Sequence, residues 1–154
     1  MEGEVRDYLV ELGFLRGQIR DAIKGLDDRG VNWHPLSEQA NSIYAIISHL
    51  TGSESFWVRG VIGKQAIERD RDAEFRASGQ LSELLQRWEQ VGRATETALG
   101  ELTSSELAEP RTVPVFPGGG PATVRWCIAH IIGHYGIHVG HIQVTRQLWD
   151  QHAR

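Results

Sequence analysis

Apolar residues recur at three- and four-residue steps along four segments of the chain, a spacing that predicts four amphipathic helices. In the first, Val5, Leu9, Leu12, Leu15, Ile19, Ile23 and Leu26 share a face, and the cluster Asp27-Asp28-Arg29-Gly30 is expected to break the helix. A linker through Val31-Asn32-Trp33-His34-Pro35 follows, in which Pro35 disfavours helical backbone at His34. The second helix is expected to start near Asn41 or Ser42, either of which can cap it, and to carry Ile43, Ile46, Ile47, Leu50, Trp57 and Val61. The stretch from about Gly63 to Gly79 is highly charged and reads as a long crossover. The third helix carries Leu81, Leu84, Leu85, Trp88, Val91, Leu99 and Leu102. From about Thr103 to Pro121 the chain holds Pro110, Pro114, Pro117 and the run Gly118-Gly119-Gly120, so no regular structure is expected there. Pro114-Val115-Phe116-Pro117 is too short and too proline-bounded for a strand. The fourth helix is expected from about Ala122 to Gln151. With no strand and no internal repeat, the pattern reads as an all-α four-helix bundle forming one domain over residues 1–154.

Composition narrows the function classes. The net charge of −4 and the dispersed basic residues argue against nucleic-acid binding, which usually shows a basic face. The single cysteine, Cys127, rules out an internal disulfide and any cysteine-based zinc motif, and its place reads as core packing. No apolar run approaches the length of a membrane span. Acidic Glu2 and Glu4 precede the first apolar residues, so no signal peptide is expected and the cytoplasm is the expected compartment. The supply of tryptophan, with Trp33, Trp57, Trp88, Trp126 and Trp149, is expected in core or interface positions and raises self-association into a homodimer as an expectation.

The candidate chemistry lies on the fourth helix. Between His130 and His141 stand four of the seven histidines: His130, His134, His138 and His141. At about 100° per residue they share one strip roughly 80° wide. Ile128, Ile131, Ile132, Tyr135, Val139 and Ile142 form the adjoining apolar face, so the strip borders the bundle interior. One histidine beside an apolar face is usually a hydrogen-bonded core residue. Four on one strip would need many partners if they were only that, and a metal site is the better reading. A helix rises about 1.5 Å per residue, which puts His130 and His138 roughly 12 Å apart, too far to share an ion. The pairs His130/His134, His134/His138 and His138/His141 all remain, and a third ligand must come from another helix. His49, at the edge of the second helix's stripe, is the best outside candidate; His34 in a linker and His152 at a terminus are poor ones.

Other residues carry weaker signals. Glu54 falls inside the apolar arc of the second helix, where a carboxylate needs a partner. It could orient a histidine or act as a base, but a buried hydrogen bond between helices is the better fit. Gly133, Gly136 and Gly140 flank the ladder and suggest close approach of a neighbouring helix, or room beside a metal. Gly118-Gly119-Gly120 lacks the ending of a phosphate loop and reads as a flexible connection.

Asn41-Ser42-Ile43, Ser48-His49-Leu50 and Glu54 resemble the second helix of the DinB-like superfamily, and His134-Tyr135-Gly136-Ile137-His138-Val139-Gly140-His141-Ile142 resembles its fourth-helix metal motif. Leu26, Asn32, Trp33 and Pro35 are similar to the junction between its first two helices. The crossover from Gly63 to Gly79 and the Gly118–Gly120 loop contribute nothing to the likeness. The resemblance implies an up-down-down-up bundle with a long crossover between helices two and three. It also implies a divalent metal on His49, His134 and His138, which selects one of the three pairs left open above. His130 and His141 then stand beside the ligands, as candidates with Glu54 for orienting them or handling protons. Zinc is the expected ion, with nickel or manganese as alternatives. Members of the superfamily include S-transferases and isomerases that use a low-molecular-weight thiol, so the implied partners are a small thiol and an electrophile. The alternatives are a metal-dependent hydrolase and a non-catalytic metal- or ligand-binding stress-response protein.

Overall fold

The computed structural model describes residue 1, residues 3–36 and residues 40–154. Glu2 lies outside the described residues. Four long helical segments account for most of the chain. The first, α1 (Gly3–Ile23), turns Val5, Leu12, Leu15, Ile19 and Ile23 inward. It stops three residues before Leu26, at a turn in which Gly25 takes φ 78°, a left-handed conformation suited to glycine. The cluster Asp27–Gly30, expected only as a breaker, instead opens a short helix, α2 (Asp28–Asn32). The reason is local: the Asp27 carboxylate accepts a hydrogen bond from the Gly30 N–H at 2.8 Å and caps the turn.

The second long segment begins at Ser42, whose hydroxyl accepts from the Ala45 N–H at 3.1 Å. It runs as α3 (Ile43–Ser55) and then continues as a π-helical stretch, Phe56–Ile62. Val58 and Ile62 are buried there beside Trp57 and Val61. Gly63 closes it, where a Cβ would lie 2.8 Å from the Arg59 carbonyl oxygen.

The crossover is not featureless. Asp70 caps α4 (Arg71–Phe75) by accepting from the Ala73 N–H at 2.9 Å. Then α5 (Leu81–Gly100) buries Leu84, Trp88, Thr95 and Leu99. The Thr103–Pro121 segment, expected to lack regular structure, also holds some. A reciprocal capping box between Thr103 and Glu106 starts α6 (Ser104–Leu107). β1 (Pro110–Arg111) pairs antiparallel with β2 (Ala122–Thr123), so an expected absence of strands is corrected by two residues on each side. Thr123 caps the last helix, α7 (Val124–His152), by accepting from the Trp126 N–H at 3.2 Å.

Contacts along the helices fix their neighbours. Arg125 at the start of α7 donates to Glu4 at the start of α1, with Nη2 to Oε2 at 3.1 Å. Near the other end, Arg146 Nη1 donates to the carbonyls of Ala22 and Lys24, both at 2.8 Å. The α3 segment packs on both α5 and α7. Inside the apolar core lies one polar chain: Arg16 pairs with Glu54, the Tyr135 hydroxyl donates to Glu54 at 2.6 Å, and the Trp88 N–H donates to Tyr135 at 2.9 Å. Among the described residues, no helix is long and apolar enough to cross a membrane.

Candidate metal centre

His49 projects from the middle of α3, and His134 and His138 from successive turns of α7. One nitrogen from each falls within 4.8 Å of the other two. The ring centroids are 4.9 Å apart for His49 and His134, 5.1 Å for His49 and His138, and 4.6 Å for His134 and His138, each pair edge-on. His49 Nε2 lies 3.0 Å from His134 Nε2. Two nitrogens bound to one tetrahedral zinc stand about 3.3 Å apart. The donor set therefore fits a divalent ion: three imidazoles converge from two helices, and the His49–His134 pair stands near the spacing one ion imposes.

Electrostatics favour the neutral rings that a metal needs. Burial, reinforced by the His138 and His49 imidazoles, pushes His134 down to about 3. Burial, with the His49 and His141 imidazoles beside it, pushes His138 to about 4. His49, 4% exposed, is lowered by burial, against an opposing hydrogen bond to Glu74.

Three residues around His49 come from the crossover and carry no periodic signal in the sequence. Glu74 Oε2 is 3.0 Å from His49 Nδ1. Arg69 grips the same carboxylate with two hydrogen bonds, Nε to Oε1 at 2.7 Å and Nη2 to Oε2 at 2.8 Å. Phe75 stacks on the His49 ring at 4.3 Å. A faint signal existed in Gly52, three residues beyond His49 on the same helix, since a glycine inside a helix often marks close approach of another group.

The other candidates fall outside the cluster. His130 packs against the indoles of both Trp57 and Trp126, at 4.7 and 4.9 Å, and burial lowers its pKa. It lies one turn from His134, with rings nearly parallel and 6.3 Å apart. His141 is exposed, its Nδ1 3.4 Å from that of His138. Glu54 is occupied by Arg16 and Tyr135, as the interhelical reading expected. Cys127 is fully buried, and burial raises its pKa. His34 bonds the Ala40 carbonyl at 2.9 Å, and His152 stacks on Trp33 at 5.1 Å, both away from the cluster. The close packing expected of Gly133, Gly136 and Gly140 is not found, because a Cβ at any of them would meet open space.

The cluster opens onto a cavity of about 520 Å³. His49, His134, His138 and His141 line one side, and Ile46, Phe75, Val144 and Leu148 supply an apolar wall, with Arg71 and Asn41 as polar neighbours.

The family model described as Mycothiol-S-transferase matches residues 9–151. Among solved structures, a conserved protein from Enterococcus faecalis superposes with a TM-score of 0.78 at 12% identity, covering 96% of this chain and 97% of its own. A DinB-like protein from Bacillus cereus gives a TM-score of 0.71 at 14% identity, covering 91% of this chain and 89% of its own. At such identities the likeness is one of fold. No curated protein matches the sequence significantly. The match along nearly the whole chain, with the histidine cluster in a helical fold of this kind, places the protein in a family: the chain belongs to the mycothiol-S-transferase family of DinB-like proteins.

Proposed function

We propose that the protein binds one divalent ion through His49, His134 and His138 and transfers a low-molecular-weight thiol to an electrophile. The observation that carries this reading is the convergence of three imidazole nitrogens from two helices at the wall of a cavity. Three protein ligands leave a coordination position free, the arrangement of catalytic rather than structural sites. The family match supports a thiol as the group transferred. The frame that supports this site is an up-down-down-up bundle. Glu4 with Arg125 and Ala22 with Arg146 indicate that α1 and α7 run in the same sense. His49 with His134 and Trp57 with Trp126 indicate that α3 opposes α7.

A divalent ion bound there would supply Lewis acidity, which deprotonates a coordinated thiol that is otherwise mostly protonated at neutral pH. The protein's own groups do the rest. Burial keeps the imidazoles neutral and their lone pairs available. Ile46, Phe75, Val144 and Leu148 give one side of the cavity an apolar surface. His141, exposed at the rim beside His138, is placed to take the thiol proton to solvent. The sulfur lone pair forms the new bond to carbon, and the leaving group departs with the electron pair of the bond that breaks.

The test is elemental analysis followed by a transfer assay. About one zinc, nickel or manganese ion per chain is expected, and His134→Ala and His138→Ala should each lower affinity sharply. The loaded protein is then offered mycothiol, bacillithiol, glutathione or coenzyme A with a chromogenic electrophile. A rate above the His138→Ala control with one of these thiols supports the reading. Full metal occupancy in the His49→Ala, His134→Ala double variant sinks the site. Metal binding without thiol transfer, but with ester or amide hydrolysis, assigns the chemistry to water instead.

A further inference from the structure

Around His49 the crossover and α3 are fitted to each other at one point. The Glu74 carboxylate meets His49 Nδ1 at 3.0 Å and is held from behind by both Arg69 bonds. All three side chains are largely withdrawn from solvent, at 5%, 12% and 17% exposure for His49, Glu74 and Arg69. An ionised carboxylate can only accept, and it stands nearer to His49 Nδ1 than the Arg69 Nη2 donor, which lies 3.4 Å from the same nitrogen, so the closer contact needs the His49 proton on Nδ1 and leaves the Nε2 lone pair facing His134. The space Glu74 occupies exists because residue 52 is glycine. A Cβ there would lie 2.6 Å from Glu74 Cδ and closer still to Oε1, with the carboxylate pinned by Arg69 and His49 and unable to swing aside without breaking both. Glycine is a poor residue for a helix interior, yet it stands here one turn from the histidine.

We propose that Glu74 is a positioning residue for the metal centre: seated in the gap at Gly52 and clamped by Arg69, it holds His49 in the one tautomer whose Nε2 points at His134 and His138. Its consequence for metal binding rests on the reading given above, while the tautomer itself exists without metal. Since α4 carries Glu74, docking of the crossover and orientation of a ligand become one event.

The experiment uses the full chain as wild type, Glu74→Ala, Glu74→Gln and Gly52→Ala. In metal-free, nitrogen-15-labelled protein, two-bond proton–nitrogen correlation spectra report which nitrogen of His49 carries the proton. Zinc affinity is measured by competition with a chelator. Wild type is expected to show His49 protonated at Nδ1 alone. Glu74→Ala should give mixed tautomers and bind zinc about 10- to 100-fold more weakly, the usual cost of losing a carboxylate behind a histidine ligand. Gly52→Ala should shift both readouts in the same direction. Alanine is favoured over glycine in a helix, so weaker zinc binding in a Gly52→Ala chain that unfolds no earlier than wild type separates positioning from folding. Glu74→Gln keeps an acceptor for Nδ1–H and should recover most of the affinity. The proposal is overturned if wild-type His49 carries its proton on Nε2, or if Glu74→Ala and Gly52→Ala change neither tautomer nor affinity. If wild type and His49→Ala hold zinc equally poorly, the metal-binding reading fails, and the tautomer comparison still decides whether Glu74 positions His49.

Discussion

Glu54 shows how one residue's surroundings decide its role. It is 1% exposed, paired with an Arg16 that is itself 4% exposed, and takes a hydrogen bond from Tyr135. Burial, and next to it the Glu54 charge, raises the Tyr135 pKa and keeps the phenol protonated as a donor. Arg16 Nε has no hydrogen-bond partner among the described residues, so the guanidinium depends heavily on this one carboxylate. Removing one partner of a buried ion pair leaves the other charge stranded. Glu54→Ala should therefore destabilise the fold by about 3–5 kcal/mol in urea titrations while leaving zinc stoichiometry at the wild-type level. A variant that kept its stability but lost its metal would move Glu54 into the metal centre. The contrast with Glu74 explains what the sequence could reveal at this scale. Helical spacing is a local property, so the histidine strip and the interior position of Glu54 can be read from neighbours in the chain. Glu74 reaches His49 across 25 residues along an irregular path, and no periodicity announces it.

At the scale of elements, the long helices were legible because each repeats its apolar residues over five or more turns. The short ones, α2, α4 and α6, depend on local capping, by Asp27, by Asp70 and by Thr103 with Glu106, and are too brief to establish a period. The π-helical stretch uses the same residue types as an α-helix, so a stripe read at 3.6 residues per turn passes over it. The union of α1 and α7 at their N-terminal ends gives a test at this level. Hydrogen bonds from Arg125 and then Tyr8 hold the Glu4 carboxyl down to about 2, from an ordinary 4.5. A carboxyl whose folded pKa is depressed adds stability that is complete above its unfolded value and disappears as pH falls through the folded one. Thermal unfolding of wild type should thus lose a small increment between about pH 4.5 and 2 that Glu4→Gln lacks. Parallel curves for the two proteins across that window would show that the tie contributes nothing. The effect is small because the groups meet at the surface, where ion pairs are weak.

For the molecule as a whole, the family follows from a match along most of the chain. What the two-helix site adds is a link between distant parts of the sequence, with α3, α7 and the crossover meeting at His49. One neighbouring arrangement makes that meeting visible. His130, one turn before His134, packs against two indoles, those of Trp57 and Trp126. A protonated imidazole against an indole quenches its emission, and a neutral one much less. Tryptophan fluorescence should accordingly dim as His130 takes up its proton, below the ordinary histidine range because burial lowers its pKa. Trp126→Phe should remove much of that change, and an unaltered acid titration in this variant would assign the signal to another indole. The stack gives the protein an optical reporter of His130 protonation, built from its own residues one helical turn from His134.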